Sequence, residues 1–157
     1  MRKRQISPTP PGVPPSGHAW LDIERIASVE VTSEENGDPI ESALLGAENR
    51  GWRAANTGTQ TIRLIFDEPQ NFKRICLVFE DSETTRTQEF VLRWSPDSGH
   101  SFREIVRQQW NFSSPDSARE IEDYTVELSG VTVLELIIAP DKSGDAARAS
   151  LESLRLG

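Results

Sequence analysis

Glu89-Phe90-Val91-Leu92-Arg93-Trp94, then Ser95-Pro96-Asp97-Ser98-Gly99, then Phe102, is the stretch that decides the fold. Side chains alternate across a strand, so Phe90, Leu92 and Trp94 share one face. Ser, Pro, Asp and Gly in a row make a compact hairpin-type turn. Phe102 opens a return strand, expected over 102–109 with Ile105 and Val106 at its apolar centre.

The same pattern extends in both directions. Upstream, Ile26 to Val31 is β-rich, and Thr61 to Phe66 alternates with Ile62, Leu64 and Phe66 on one face. Arg74 to Phe79 is apolar in a run, which predicts a central strand covered on both faces. Downstream, Tyr124 to Leu128, Val133 to Ile138 and Ser150 to Leu156 complete eight strands. Asp67 to Asn71 and Ser129-Gly130 are expected as further turns. One segment, Asp38 to Gly46, reads as a short helix, with Asp38 as cap, Pro39 at the first helical position and Glu41 completing a capping box. Short strands without alternating helices predict an all-β, eight-stranded antiparallel jelly-roll β-sandwich over residues 20–157. No fixed-period repeat is present, which argues against a propeller or solenoid.

Residues 1–19 differ from the rest. Five of the ten prolines fall between Ser7 and Gly17, and Met1-Arg2-Lys3-Arg4 is followed by no apolar core. A secretion signal needs about 7–15 apolar residues there. The expectation is a disordered Pro-rich leader; a docking tail is the other reading. With no export signal and Cys76 as the single cysteine, the cytoplasm is the expected compartment. The chain of 157 residues carries 17 basic and 25 acidic side chains, net −8. That excess argues against nucleic acid or an anionic membrane as partner, since phosphate binding needs a positive face. No apolar run approaches the roughly 20 residues of a membrane span.

The order of these features resembles the discoidin, or coagulation factor 5/8 type C, superfamily, also called galactose-binding-like. The resemblance rests on Ala27-Ser28-Val29, the helical segment Ile40 to Leu45, Trp52, the strand Ile62 to Pro69, the Phe90-to-Phe102 unit and the ending Ala149 to Leu156. It covers about residues 26–157. Many members carry a structural calcium ion held by a glutamate in the last strand, just before its first inward apolar residue. Here Ser153 matches that position, or Glu152 in a register shifted by one. The resemblance thus implies calcium only if Glu152 takes that place; no other cofactor is expected. Lipid-binding members are exported and disulfide-bonded, so lipid binding is not implied. Trp52-Arg53-Ala54-Ala55, Gly58 and Thr61-Ile62 also look like the N-terminal domain of the eukaryotic single-strand-break repair scaffold, though the acidic charge speaks against DNA.

Strand parity locates a candidate site. If each strand crosses the molecule, loops 46–59, 80–88, 110–120 and 140–148 gather at one end, and the short turns 67–72, 95–101 and 129–131 at the other. Long loops on a rigid scaffold are where ligands bind. The long-loop end contains Trp52, Trp110 and Phe112, the cations Arg50, Arg53, Arg86, Arg119, Lys142 and Arg148, and the acceptors Glu48, Asn49, Glu83, Asn111, Asp141 and Asp145. A sugar needs an aromatic face and planar hydrogen-bonding forks. The candidate ligand residues are therefore Trp52, Arg53, Arg86, Trp110, Asn111 and Arg148. Each has a plain alternative: Trp52 as a core plug, the arginines as partners of loop carboxylates. Arg86 falls where the resembled sugar binders often place an arginine.

Catalysis finds little support; a small hydrolase or isomerase would require two titratable groups converging in a deep cleft. His18 lies in the leader and His100 in the short turn, away from the long loops. There is no Gly-rich phosphate loop, no G-x-S-x-G and no H-E-x-x-H. The expected function is a non-catalytic binding module, carbohydrate-binding through the long loops, with a cytoplasmic protein-interaction or scaffold module as the alternative.

Overall fold

A computed structural model describes residues 20–45, 51–81, 85–113, 118–144 and 146–157. The expected disordered leader, residues 1–19, lies outside the described residues. The elements are α1 (Ile23–Ile26), β1 (Ala27–Val31), α2 (Glu41–Leu44), β2 (Trp52–Arg53), β3 (Gln60–Glu80), β4 (Arg86–Ser95), β5 (Arg103–Phe112), β6 (Arg119–Ala139), β7 (Ser150–Leu151) and β8 (Ser153–Leu156).

Hydrogen bonding runs in the order β1-β3-β6-β4-β5, all antiparallel, with β8 on β3 and a separate β2–β7 pair. Both long strands bend at mid-length, so the ladder folds over itself into a β-sandwich. One layer holds β1, the first half of β3, the second half of β6, β4 and β5. The other holds β8, the second half of β3 and the first half of β6. The segments expected as turns, Asp67 to Asn71 and Ser129-Gly130, are instead corners inside continuous strands. The register shifts three times between Ile65 and Arg74, as strands do when they switch sheets through bulges. Gly130 supplies the left-handed backbone at its corner (φ 71°), and its N–H donates to Asn71 Oδ1 at 2.9 Å.

Side-chain phase changes across the bend. Ile62, Leu64 and Phe66 face the core before it; Ile75, Leu77 and Phe79 face the core after it. Phe90, Leu92 and Trp94 meet them from β4 as expected, and Phe79 packs on Phe90 across the layers with ring centroids 5.2 Å apart. The second half of β3 is covered on one face only, contrary to expectation. Cys76 and Val78 are half-buried on the outside, because β8 and β6 flank the strand within its layer and no third layer among the described residues covers it.

The expected helix shrinks to the single turn Glu41–Leu44. Ile40 and Ala43 enter the core, as their stripe implies. The cap differs: Ile40 is the N-cap residue, and its N–H donates to Glu34 Oε2 at 2.9 Å. The Asp38 backbone is held elsewhere, its N–H on Glu35 O and its carbonyl accepting from Arg53 N–H. No helix among the described residues is long and apolar enough to cross a membrane.

Candidate functional site

The folded ladder brings the ends of β3, β4, β5 and β6 together. Asp81 N–H donates to Ala118 O (2.7 Å), and Lys142 N–H to Thr87 O (2.8 Å). Ala54 and Gly58 N–H groups reach Ala149 O and Ala147 O. At the opposite end Ser98 N–H meets Thr132 Oγ1 at 2.8 Å. The long connections therefore do share one end and the short turn the other. Arg50, Glu48, Asn49, Glu83 and Asp145 lie outside the described residues.

Among the candidate ligand residues, two are built into the framework. Trp52 is 1% exposed and its indole N–H donates to Ser33 O at 3.0 Å. It has no free face for a sugar ring and acts as a core plug. The Arg86 side chain is 2% exposed. Its Nε donates to Asp81 Oδ2 at 2.8 Å, its Nη1 to Pro140 O at 2.6 Å and to Gln88 Oε1 at 3.2 Å, and its guanidinium lies 4.5 Å over the Phe112 ring. Nε and Nη1 are thus spent on tying the Asp81 and Pro140 loop ends together. Strand phase carried the warning: Arg86 is in step with Phe90, Leu92 and Trp94, so it points inward.

The remaining four are at the surface in two groups. Trp110 is half-buried, edge-on to Phe112 at 6.5 Å, and Asn111 is exposed with its Oδ1 accepting from Thr87 Oγ1 at 2.9 Å. Lys142 lies alongside, its Nζ 3.1 Å from Glu89 Oε2. The second group is Arg53 and Arg148 on or beside the β2–β7 pair. Arg148 is ion-paired with Glu35, whereas the exposed Arg53 guanidinium engages no partner among the described residues. Asp141 holds its own turn, accepting Ser143 N–H and Oγ, and those bonds lower its pKa.

Glu152, through which the resemblance would imply calcium, is already engaged. No group of three or more His, Cys, Asp or Glu side chains among the described residues is placed to hold a metal ion. Glu152 has Arg119 Nη1 at 3.1 Å from its Oε2, a cation already in place, and burial raises its carboxyl pKa. Gly51 is pressed against the same segment: a Cβ there would lie 2.5 Å from Leu151 O, so only glycine fits.

Two buried glutamates were not singled out from the sequence. Glu135 is 1% exposed, with its Oε2 accepting from Arg63 Nε (2.7 Å) and its Oε1 from Arg93 Nε (2.6 Å). Glu120 is fully buried; Gln88 Nε2 donates to its Oε1 at 3.3 Å, and no hydrogen-bond donor among the described residues reaches its Oε2. Burial first, then the neighbouring Glu122, pushes the Glu120 carboxyl up to about 8. The phase of β6 again held the signal: Glu120 is in step with Tyr124, Val126 and Leu128.

Compared as a sequence, the chain matches no family model and no curated relative. Compared as a structure, it superposes on CBM32-3 from a family 31 glycoside hydrolase of Clostridium perfringens, with TM-score 0.65 and 17% identity over 89% of this chain and 95% of that one. The fold is galactose-binding-like. A second galactose-binding-like neighbour is the family 32 CBM of C. perfringens NanJ in complex with galactose, with TM-score 0.64 and 14% identity over 88% and 97% of the two chains. A third is the CBM32 of AlyQ in complex with 4,5-unsaturated mannuronic acid, with TM-score 0.61 and 15% identity over 84% and 95%. Galactose-binding-like matches also occur inside enzymes: 26% of the chain of a Ruminococcus gnavus GH29 fucosidase is covered, at TM-score 0.65 and 10% identity.

Proposed function

We propose that this chain is a non-catalytic carbohydrate-binding module that takes its ligand at the long-loop end. The observation that carries the reading is the exposed guanidinium of Arg53 at that end, without a partner among the described residues, on a fold shared with modules whose complexes hold galactose and an unsaturated mannuronic acid. Asn111 and the half-exposed Trp110 supply an amide and an aromatic at the same end. Arg86 and Trp52 hold the surface in shape rather than contact a sugar.

A glycan array on the purified chain tests this, with Arg53→Ala and Trp110→Ala as controls. Selective binding that either substitution abolishes is the expected result. A blank array from protein whose circular dichroism shows a folded β-sandwich would sink the reading. Arg86→Ala is unsuitable as a control, because loss of binding would report loss of the loop framework.

A second reading, a protein-interaction module, rests on Ile121. It is 60% exposed and pairs with Val78 on the outside of the three-stranded layer. A blank array together with a captured protein partner released by Ile121→Glu would favour it.

A further inference from the structure

The outer face of the five-stranded layer has a groove of its own, toward the turn end. It encloses about 620 Å³ and is lined in part by Glu30, Arg63, Asp67, Ser98, Phe102 and Val133. A second depression of about 610 Å³ adjoins it across the same Glu30 and Arg63, with Thr32 and Thr61 in its wall. Each is within the size range of small-ligand sites.

The floor is fixed before any ligand arrives. Glu30, Arg63, Glu135 and Arg93 form one row across four strands, each paired with the next. Glu135 is buried beneath the two arginines, which holds both guanidinium planes. Arg93 also lies 4.2 Å over the Phe102 ring and so fixes that ring. The wall is fixed too. Asp97 accepts from Ser95 Oγ, Ser101 Oγ and Ser101 N–H, and these bonds hold its carboxyl down at about 2. Ser98, in the groove lining, adopts φ 61°, a left-handed conformation that no other described non-glycine residue shows. Strain of that kind persists where the surroundings impose it, and ligand clamps are a common setting.

We propose that this groove is a second ligand site, for a neutral oligosaccharide lying across the Glu30–Arg63 pair. The two side chains are 2.9 Å apart and remain 58% and 42% exposed. They set a carboxylate acceptor beside a guanidinium donor, the pattern that adjacent sugar hydroxyls satisfy by donating to one and accepting from the other. Phe102 supplies the aromatic contact. Glu30, Asp67 and Glu135 outnumber Arg63 and Arg93, so an acidic sugar is disfavoured. The inference shares the carbohydrate reading above but places the ligand on a separate surface.

The test is an amide-resolved NMR titration of the full chain with lactose, cellobiose and digalacturonate. The expected result is movement of the Glu30, Ser98, Gly99 and Phe102 amides with a neutral disaccharide and none with digalacturonate. Glu30→Gln and Arg63→Lys should each weaken that binding about tenfold, with the rest of the spectrum unchanged; exposed Asp67→Asn is a third variant of little risk to folding. Silence of the groove amides with both neutral disaccharides overturns the proposal, as do shifts that persist undiminished in these variants. The Arg53, Asn111 and Lys142 amides report the loop end independently. If they move while the groove is silent, only the groove fails; if the groove moves while they are silent, only the loop-end placement fails.

Discussion

Glu135 and Glu120 lie on the same strand, both buried, and they reach opposite electrostatic solutions. Glu135 is on the outward phase of β6 and has an arginine on each carboxylate oxygen. Glu120 is on the inward phase of the other half, where Gln88 reaches one oxygen and the nearest acid is Glu122, itself accepting from Tyr124 Oη at 2.9 Å. The nearby cation, Arg86, is committed to Asp81 and Pro140. Burial alone therefore does not decide the charge of a carboxylate. The partners matter as well: two guanidinium groups occupy both oxygens of Glu135, whereas Glu120 has no such pair and burial raises its pKa.

The strongest way to break this comparison is Glu135→Ala. It leaves Arg63 and Arg93, 42% and 37% exposed, without their shared acceptor, and losing hydrogen bonds to a charged group costs about 2 kcal/mol. Urea unfolding at neutral pH should show that loss. A change near zero would mean that the triad contributes nothing net.

Glu120→Gln should act in the other direction, and only above acidic pH. Its folded pKa, about 8, is raised above the ordinary 4.5. Below 4.5 folded and unfolded chains both hold the proton, and the stability is fully present. Between 4.5 and 8 the unfolded chain releases the proton while the folded chain keeps it, so stability falls as pH rises; above 8 it levels off. Glutamine cannot ionise, so the variant should match the parent at pH 4 and exceed it by on the order of 1 kcal/mol at pH 8. Thermal melts across that range test the sign. In a sharper version, Glu122→Gln should move the Glu120 carboxyl titration, followed by NMR, toward lower pH.

A third carboxylate on β6 supplies the smallest effect. Asp123 accepts two bonds from Arg74, at 2.9 and 2.7 Å, but both side chains are well exposed. Arg74 lowers the Asp123 pKa, so what the pair contributes is present at neutral pH and fades as pH falls. Water competes for both partners, and Asp123→Asn should leave the urea midpoint at physiological salt within experimental error.

Much of the sandwich was legible because strand phase is a local property. Phe90, Leu92 and Trp94, or Ile62, Leu64 and Phe66, announce an inward face without knowledge of what covers it. The corners were harder. Asp67 to Asn71 reads as a break, but whether a broken strand reverses or bends over depends on its partner, here the matching corner in β6. The two-residue strand β2 and the single turn α1 carry too few residues for a period to show. At the candidate site, residue type suggested Arg86 and Trp52 as ligand contacts, and burial assigned them to the framework. Arg86 was decidable from phase. Trp52 was not, because what covers it comes from distant segments such as Ser33 and its strand partner Leu151.

The folded-over ladder also implies an order of assembly. β4 and β5 meet through a short turn, with Trp94 opposite Arg103. Outside that hairpin Glu80 pairs with Arg119, and the ladder then widens along the chain until Gln60 meets Ile138. Each pairing encloses the one before it, so closing an inner pair shortens the free loop that the next must close. Such a chain can zip outward from the Ser95–Gly99 turn, and the β1 and β8 edges dock last because their partner strand must already be in place. Folding should be slow, as for other topologies dominated by distant contacts, yet follow a narrow route.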